Sequence, residues 1–265
     1  MRITQILNIL IVVVLCASGS YALTADEIMK KVDARDTGKT QISTATMTLI
    51  NKKKQERVRK LKLFSKKFTD VDKSITFFMS PADVKNTSFL SYDWQDASKE
   101  DDSWLYLPAM QRVNRISAGD KSNSWMGSDF TFSDVEGLEL NDNTYKLLKE
   151  SDPVDGTDCW VVEATPKTKE VIDKTGYLKT VSWIRKDSFL VVRNIINVKK
   201  GKKIKYFSTK DIKKIDGIWT IKTIQMVTTK NKKIQHSSIF RIENISYNKD
   251  VKDSMFEVET LQRGL

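Results

Sequence analysis

The sequence predicts a mainly β protein built on one long antiparallel sheet. From Gln41 onward, apolar and polar residues alternate with a period of two, as in Ala45-Thr46-Met47-Thr48-Leu49, which is typical of strands with one buried face. Short turn sequences such as Asp155-Gly156 and Asp216-Gly217 join the alternating segments, and strands joined so closely must run antiparallel. No linker-like run of Pro, Gly or Ser divides the 265 residues, so a single domain is favoured.

Residues 1–22 have the pattern of a cleaved signal peptide. Arg2 supplies a positive start, residues 6–16 are apolar, and Ser20-Tyr21-Ala22 is a small-x-small cleavage site. A retained membrane anchor is the weaker alternative, because the apolar run is short for a spanning helix. We therefore expect export and a mature domain of residues 23–265.

The mature domain would keep one cysteine and a strong positive charge. Cys159, within a strand-like run, is expected to be a small buried hydrophobe, and no internal disulfide can form. Without Arg2 the chain has 44 basic and 34 acidic residues, a net charge of +10. The lysines cluster at predicted turns, for example Lys52-Lys53-Lys54 and Lys232-Lys233. Such clusters either protect solvated strand edges or dock to anionic head groups or an acidic partner.

A helix is predicted ahead of the sheet. Thr24-Ala25-Asp26-Glu27 reads as a capping box, and Ile28 and Val32 lie four residues apart on one face of the helix that follows. A single amphipathic helix before many strands favours a lid or plug packed against the sheet. About ten or eleven strands follow, and a sheet of that length curls or closes because its twist accumulates and its edges need cover.

Residues 102–135 combine many large apolar side chains with turn formers. Trp104 to Leu107 predicts a short strand that Pro108 ends, and residues 112–116 predict a second strand. Gly127 permits a positive φ, and Ser128 and Asp129 are expected to bond nearby backbone N–H groups. The charged residues of the stretch have two interpretations, polar contact with a ligand head group or pinning of the long loop to the strand pair. They are Arg112, Arg115, Asp129 and Asp134.

Three sequences in this stretch carry a family resemblance. They are Trp104-Leu105-Tyr106-Leu107-Pro108, Arg112-Val113-Asn114-Arg115-Ile116, and Met126-Gly127-Ser128-Asp129-Phe130-Thr131-Phe132 closed by Asp134. They resemble the signature of the outer-membrane lipoprotein-sorting protein family, the LolA-like periplasmic carriers. Residues 80–87 before Phe89-Leu90 also fit, so the resemblance spans most of the mature chain. Phe is usual in the family at the position of Trp125, and Tyr at that of Phe132; both departures keep an aromatic ring.

The resemblance implies an incomplete, half-open antiparallel β-barrel with a few covering helices and a cavity for acyl chains. Large apolar side chains on the predicted strands and loop are candidates for the cavity lining, although each could equally be ordinary core. These candidates are Ile75, Phe77, Met79, Trp104, Tyr106, Met126, Phe130, Trp160, Trp183 and Trp219. The family-motif loop would contribute Pro108, Arg112, Arg115, Gly127, Ser128, Asp129 and Asp134.

Catalytic and cofactor signatures are not found in the sequence. His236 is the sole histidine and has no acid or thiol neighbour along the chain, and no zinc spacing, phosphate loop or nucleophile elbow is present. We expect no enzyme activity, no cofactor and no metal site. Nucleic acid is a poor candidate partner for an exported chain without a recognised binding motif.

These observations predict a monomeric periplasmic carrier. It would bind the acyl chains of a lipoprotein or lipid and shuttle this cargo toward the outer membrane, between an inner-membrane transporter and an outer-membrane acceptor. One alternative is a periplasmic accessory that passes an apolar ligand to or from a membrane exporter. Another is an interaction module whose core is filled and binds no cargo.

Overall fold

The computed structural model describes residues 22–96, 98–137 and 139–265. Residues 1–21 of the predicted signal peptide lie outside this range. Four α-helices are present: α1 (Ala25–Asp33), α2 (Phe132–Glu136), α3 (Lys169–Thr175) and α4 (Val258–Arg263). Thirteen strands are present: β1 (Thr40–Asn51), β2 (Glu56–Lys67), β3 (Val71–Ser80), β4 (Ser88–Trp94), β5 (Asp102–Leu107), β6 (Arg112–Arg115), β7 (Asn143–Lys149), β8 (Cys159–Pro166), β9 (Tyr177–Arg185), β10 (Val191–Val198), β11 (Lys203–Ile215), β12 (Ile218–Lys230) and β13 (Lys233–Tyr247).

All thirteen strands form one open sheet in the order β6-β5-β4-β3-β2-β1-β13-β12-β11-β10-β9-β8-β7. Each neighbouring pair is antiparallel, including β1 with β13, which joins the two halves of the chain. The predicted fold class is confirmed, but the expected strand count was too low. Strand β4 was not predicted. Its residues Ser88 and Ser91 are polar but buried, so the strand lacks the alternation of apolar and polar residues that identified the other strands.

The sheet curls around an inner segment, which we define as residues 117–137. Glu136 of this segment accepts a hydrogen bond from Ser103 on β5, and Asp134 lies 3.8 Å from the ammonium group of Lys205 on β11. β5 and β11 are seven places apart in the strand order. At about 4.8 Å per strand, a flat sheet would separate them by roughly 30 Å. The sheet must therefore bend around the segment, which gives the half-open barrel. We call the side that faces the segment the inner face.

Helix α1 closes one half of the inner face. Thr24 accepts from the backbone N–H of Glu27 at 3.2 Å, and Glu27 accepts from the N–H of Thr24 at 2.8 Å, so the predicted capping box is confirmed. The apolar side of the helix, with Ile28 and Met29, packs on Trp160 and neighbouring residues of β8 to β10. This agrees with the predicted helix packed against a sheet.

The other half of the sheet is covered on both faces. On the inner face, side chains of β1 to β4 pack against the inner segment. On the outer face, Ile75 and Phe77 pack under the C-terminal residues, including Phe256 and Leu261. Ser88 donates to the carbonyl of Leu261 at 2.8 Å and holds this C-terminal cover in place. Burial on both faces explains why the apolar pattern of β3 does not indicate which side faces inward.

Candidate functional site

The inner segment has a compact backbone that its own residues define. Gly127 has φ 73° and Met126 has φ 51°, so the predicted positive φ at Gly127 is confirmed. Thr131 begins helix α2 with a second capping box, in which its hydroxyl accepts from the N–H of Asp134 and its own N–H donates to that carboxylate. The side chain of Ser128 donates to the carbonyl of Trp125 at 2.7 Å and stabilises the turn before the helix.

The apolar side of the segment fills the inner face of β1 to β5. The ring of Trp125 lies 5.6 Å from that of Phe78 and 6.1 Å from that of Phe89, and the ring of Phe132 lies 5.7 Å from Phe89. Aromatic pairs at such distances add to the stability that burial provides. Phe130 projects to the other side and packs against a cluster that contains Ile196 and Met226. The segment therefore occupies the space that an apolar ligand would need.

A polar socket on β12 and β13 receives Asp129. Its carboxylate is 2% exposed and accepts from Thr228 at 2.5 Å, from Ser238 at 2.7 Å and from Nδ1 of His236 at 2.6 Å. The backbone N–H of Asp129 donates to Ser238 at 2.8 Å. Asp129 was expected to bond its own turn, but its partners lie about a hundred residues further along the chain. The carboxylate thus fastens the segment to the middle of the sheet.

A second polar contact joins the segment to β9 and β11 through Asp134. The hydroxyl of Tyr177 donates to Asp134 at 2.6 Å, and the ammonium group of Lys205 donates to the same hydroxyl at 2.9 Å. Burial and the nearby Asp134 charge hold the pKa of Tyr177 well above its ordinary value, so this hydroxyl stays a donor. Burial lowers the pKa of Lys205, while the charge of Asp134 partly restores it.

Two further contacts fasten the segment to the first half of the sheet. Lys121 is 2% exposed, and its ammonium group donates to the carbonyl of Asp101, at the end of the connection between β4 and β5, at 2.8 Å. The same ammonium group lies 2.9 Å from Glu136 within the segment. Arg59 on β2 donates to the carbonyl of Met126. These attachments and the hydrogen bond from Ser103 to Glu136 are polar, whereas the surface beneath Trp125 and Phe132 is apolar.

A cavity of about 670 Å³ lies between the segment and the second half of the sheet. Cavities of about 300–1,000 Å³ hold ligands of small-molecule size. The inner segment forms one wall, and α3 with the start of β9 forms another. The remaining wall carries Lys199, Lys200, Lys203, Lys205, Thr228, Gln235 and His236. The cavity is therefore bordered by cations and hydroxyl groups where the segment meets the sheet.

Most of the predicted lining residues lie elsewhere. Ile75, Phe77, Trp104 and Tyr106 belong to the outer cluster, and Met79 is 41% exposed at the end of β3. Trp183 and Trp219 pack with Cys159 in another cluster. Along β9 and β12 they take the positions between the inner residues, so they lie on the opposite face of the sheet.

Three of the predicted residues do lie on the inner side. Met126 and Phe130 belong to the segment itself, and Trp160 stacks on Phe189 beneath α1. None of the ten candidates borders the cavity of about 670 Å³. Both faces of β3 and β5 are covered, so their apolar pattern could not identify the inner one.

The family-motif residues divide into two groups. Gly127, Ser128 and Asp129 border the cavity, and Asp134 fastens the segment beside it. Pro108, Arg112 and Arg115 lie at the β5–β6 hairpin, where Arg115 pairs with Asp102 and Arg112 donates to Asn114 at 2.7 Å. Asp129 and Asp134 fit the interpretation that these residues pin the loop. They hold it to β9, β11, β12 and β13, however, and not to the β5–β6 strand pair.

Sequence reasoning missed the sheet residues that receive the segment. Thr228, His236, Ser238, Tyr177 and Lys205 are polar residues on inner positions of β9 and of β11 to β13. These strands carry polar residues on both faces, so no pattern in the sequence distinguished the five. His236 does have an acid partner, which is Asp129, and only the fold brings the two together.

Three carboxylates meet near the end of β4. Side-chain oxygens of Asp93, Asp101 and Glu139 lie within 4.8 Å of one another. Burial, followed by the charges of Asp101 and Glu139, raises the pKa of Asp93 to about 7. Burial likewise raises the pKa of the Cys159 thiol, which is fully buried as expected for a core residue.

No helix within the described ranges is both long and apolar enough to cross a bilayer.

The comparisons with known proteins agree with this architecture. A family model described as "Uncharacterized protein" matches residues 70–263, and no curated protein matches the chain significantly. An outer membrane lipoprotein-sorting protein domain from Vibrio parahaemolyticus is 30% identical, with a TM-score of 0.80 over 90% of this chain and 98% of that one. A DUF1329 family protein from Desulfovibrio piger is also 30% identical, with a TM-score of 0.80 over 89% of this chain and 97% of that one.

A LolA superfamily protein from Nitrosomonas europaea is 18% identical and has a TM-score of 0.66 over 90% of this chain and 99% of that one. At this identity the likeness concerns the fold alone. The identity to the Vibrio domain over nearly its whole length is sufficient for a family assignment. The chain belongs to the outer-membrane lipoprotein-sorting protein family, with a LolA-like fold.

Proposed function

We propose that this protein is a periplasmic carrier that binds the acyl chains of a lipoprotein or lipid on the inner face of the half-open barrel. The observation that carries the proposal is the inner segment, an apolar plug held over an apolar surface by separate polar contacts. The surface beneath it includes Met47, Leu61, Phe78 and Phe89, all nearly inaccessible to water while the segment is in place. Family membership supports the same assignment.

Binding would proceed by exchange of one apolar occupant for another. The rings of Trp125 and Phe132 leave the inner face, and acyl chains take their place. Each buried methylene contributes about 0.8 kcal/mol, so a few chains compensate for the aromatic contacts that are lost. The cavity beside the segment gives the entering chain a place to begin, and its lysines and hydroxyl groups suit the polar end of the cargo.

We propose binding without a chemical step. His236 and Asp129 resemble part of a catalytic arrangement, but the hydroxyl groups nearest to them, those of Thr228 and Ser238, donate to Asp129 and not to His236. A nucleophile activated by the imidazole would need the opposite arrangement. The pair instead acts as a latch between segment and sheet.

Native mass spectrometry of the protein purified from its periplasm, followed by lipid extraction, tests the proposal. A stoichiometric acylated species that is lost on mild denaturation is expected, and its head group would distinguish a lipoprotein from a free lipid. An inner-membrane transporter and an outer-membrane acceptor are the partners we propose for a lipoprotein cargo. Recovery of a different apolar compound would support the accessory of a membrane exporter.

The second candidate is an interaction module with a filled core. The tight packing of Trp125 and Phe132 against the sheet favours it. A protein that is purified without ligand, and that takes up neither added lipid nor a neutral apolar dye, would contradict the carrier and leave the interaction module.

A further inference from the structure

The two ends of the half-open barrel carry opposite charge. Because all neighbouring strands are antiparallel, the connections between them alternate between the two ends, apart from residues 116–142, which contain the inner segment and run from one end to the other. Six connections lie at one end, which we call the basic end: residues 52–55, 81–87, 108–111, 167–176, 199–202 and 231–232. Five lie at the acidic end: residues 68–70, 95–101, 150–158, 186–190 and 216–217.

The charge difference between these connections is large. Those of the basic end hold eleven lysines and three acidic residues, a net charge of +8. Those of the acidic end hold ten acidic residues and two lysines, a net charge of −8. The overall positive charge of the chain does not explain this separation, because scattered lysines would appear at both ends. The charge of the connections is therefore polarised along the strands, while some lysines of the strands themselves, such as Lys67 and Lys213, lie next to the acidic connections.

Most lysines of the basic end form no ion pair within the described part of the chain. Only Lys174 and Lys199 of its eleven lysines lie within 4.0 Å of a carboxylate in the described part of the chain. Lys53, Lys200 and Lys232 lie on three different connections and are exposed. At the acidic end, by contrast, neighbouring cations pair with several acids, as Lys186 does with Asp158 at 2.8 Å.

Apolar side chains accompany the lysines. Of eight large apolar residues that are exposed, five lie in or within three residues of the basic-end connections: Val58, Met79, Met110, Leu178 and Ile234. Met110 is 52% exposed and Ile234 is 62% exposed. A surface that combines lysines with protruding apolar side chains is typical of proteins that bind at the interface of an anionic bilayer.

The basic end of the half-open barrel also borders the cavity of about 670 Å³. Its walls include Ile172, Asp173, Thr175 and Gly176 of one basic connection, together with Lys199 and Lys200 of another. We propose that the basic end docks on the surface of an anionic lipid bilayer, which brings the mouth of the cavity to the membrane. The reason for docking rests on the proposed carrier function, but docking itself is measured without cargo, so either can fail alone.

Sedimentation with vesicles of phosphatidylglycerol and phosphatidylcholine in equal parts tests the proposal. Binding should fall as salt is added and should be lost with phosphatidylcholine alone. The variant Lys53→Gln, Lys200→Gln and Lys232→Gln should bind roughly a hundredfold more weakly, since each lysine near an anionic surface contributes about fivefold. The matched control Lys99→Gln, Lys213→Gln and Lys249→Gln removes the same charge near the acidic end and should bind like the wild type.

Orientation is tested with a fluorescent label on single cysteines. Met110→Cys places the label at the basic end and Leu148→Cys near the acidic end, at a residue that is 42% exposed. Cys159 is fully buried and should not react. Anionic vesicles should shift the emission to the blue at position 110 only. Equal weakening of both triple variants, or equal shifts at both labels, would overturn the proposal. Failure of the wild type to bind anionic vesicles would also overturn it, leaving an acidic protein as the occupant of this surface.

Discussion

Replacing Asp129 with asparagine should release the inner segment while the sheet stays folded. The carboxylate accepts from Thr228 through one oxygen and from His236 and Ser238 through the other. The oxygen of the asparagine amide can still accept from Thr228. Its NH2 group, however, is a donor and faces His236 and Ser238, which also donate. Hydrogen bonds to a charged group contribute about 1.5–3 kcal/mol each. With some relaxation of Ser238, the closed position of the segment should lose about 2–4 kcal/mol.

A loss of this size changes how often the segment is open. Every 1.4 kcal/mol is a factor of ten, so a loss of about 2–4 kcal/mol should raise the open fraction roughly thirty- to several-hundredfold. Global stability of about 5–15 kcal/mol is typical for a domain, so the sheet should survive. The assay is binding of a neutral apolar dye, which avoids attraction to the lysines, combined with circular dichroism to verify that strand content is unchanged.

The matched control is Asp120→Asn in the same segment. Asp120 is exposed and bonds only to Ser117 and Asn123 nearby, so the same charge change should leave dye binding as in the wild type. If Asp129→Asn binds no more dye than this control, the socket does not govern access to the inner face, and the latch model is refuted. A lower melting temperature without added dye binding would make the socket a purely structural contact.

Two further predictions concern the half-buried Asp93 and the buried Phe77, both outside the inner segment. The pKa of Asp93 is about 7 in the folded protein, against 3.8 for an ordinary aspartate. Between these two pH values Asp93 is protonated in the folded state but ionised in the unfolded state. The free energy of unfolding should therefore fall as pH rises from about 4 to about 7. Asp93→Asn should remove that slope in melting temperatures measured across this range, and an unchanged slope would contradict the raised pKa. Phe77→Ala should cost about 3–5 kcal/mol in urea unfolding because its ring is buried under the C-terminal cover, whereas Met79→Ala at an exposed position should cost less than about 0.5 kcal/mol. Equal effects at the two positions would contradict the assignment of Phe77 to the outer core.

Several local features could be predicted because they depend on residues close in sequence. The capping box at Thr24, the positive φ at Gly127 and the antiparallel strands with their short turns all follow from side-chain chemistry or chain length within a few residues. The lysine-rich turns could also be identified from the sequence. Their placement at one end became apparent only from the alternation of strand direction around the sheet.

The inner and outer sides of the sheet could not be predicted in this way. Alternation identifies two faces of a strand but cannot say which is inside when both are covered, as they are for β3, where Ile75 and Phe78 are equally buried on opposite faces. The socket of Asp129 depends on His236, which lies 107 residues away along the chain. Residues close in sequence set most of the strands, the antiparallel direction of neighbouring strands and the charge of their turns; β4 is the exception, because its buried serines hide the alternation. The face that the inner segment covers and the polar groups that hold it there are set by contacts between distant residues, because both depend on how the thirteen strands curl around the segment.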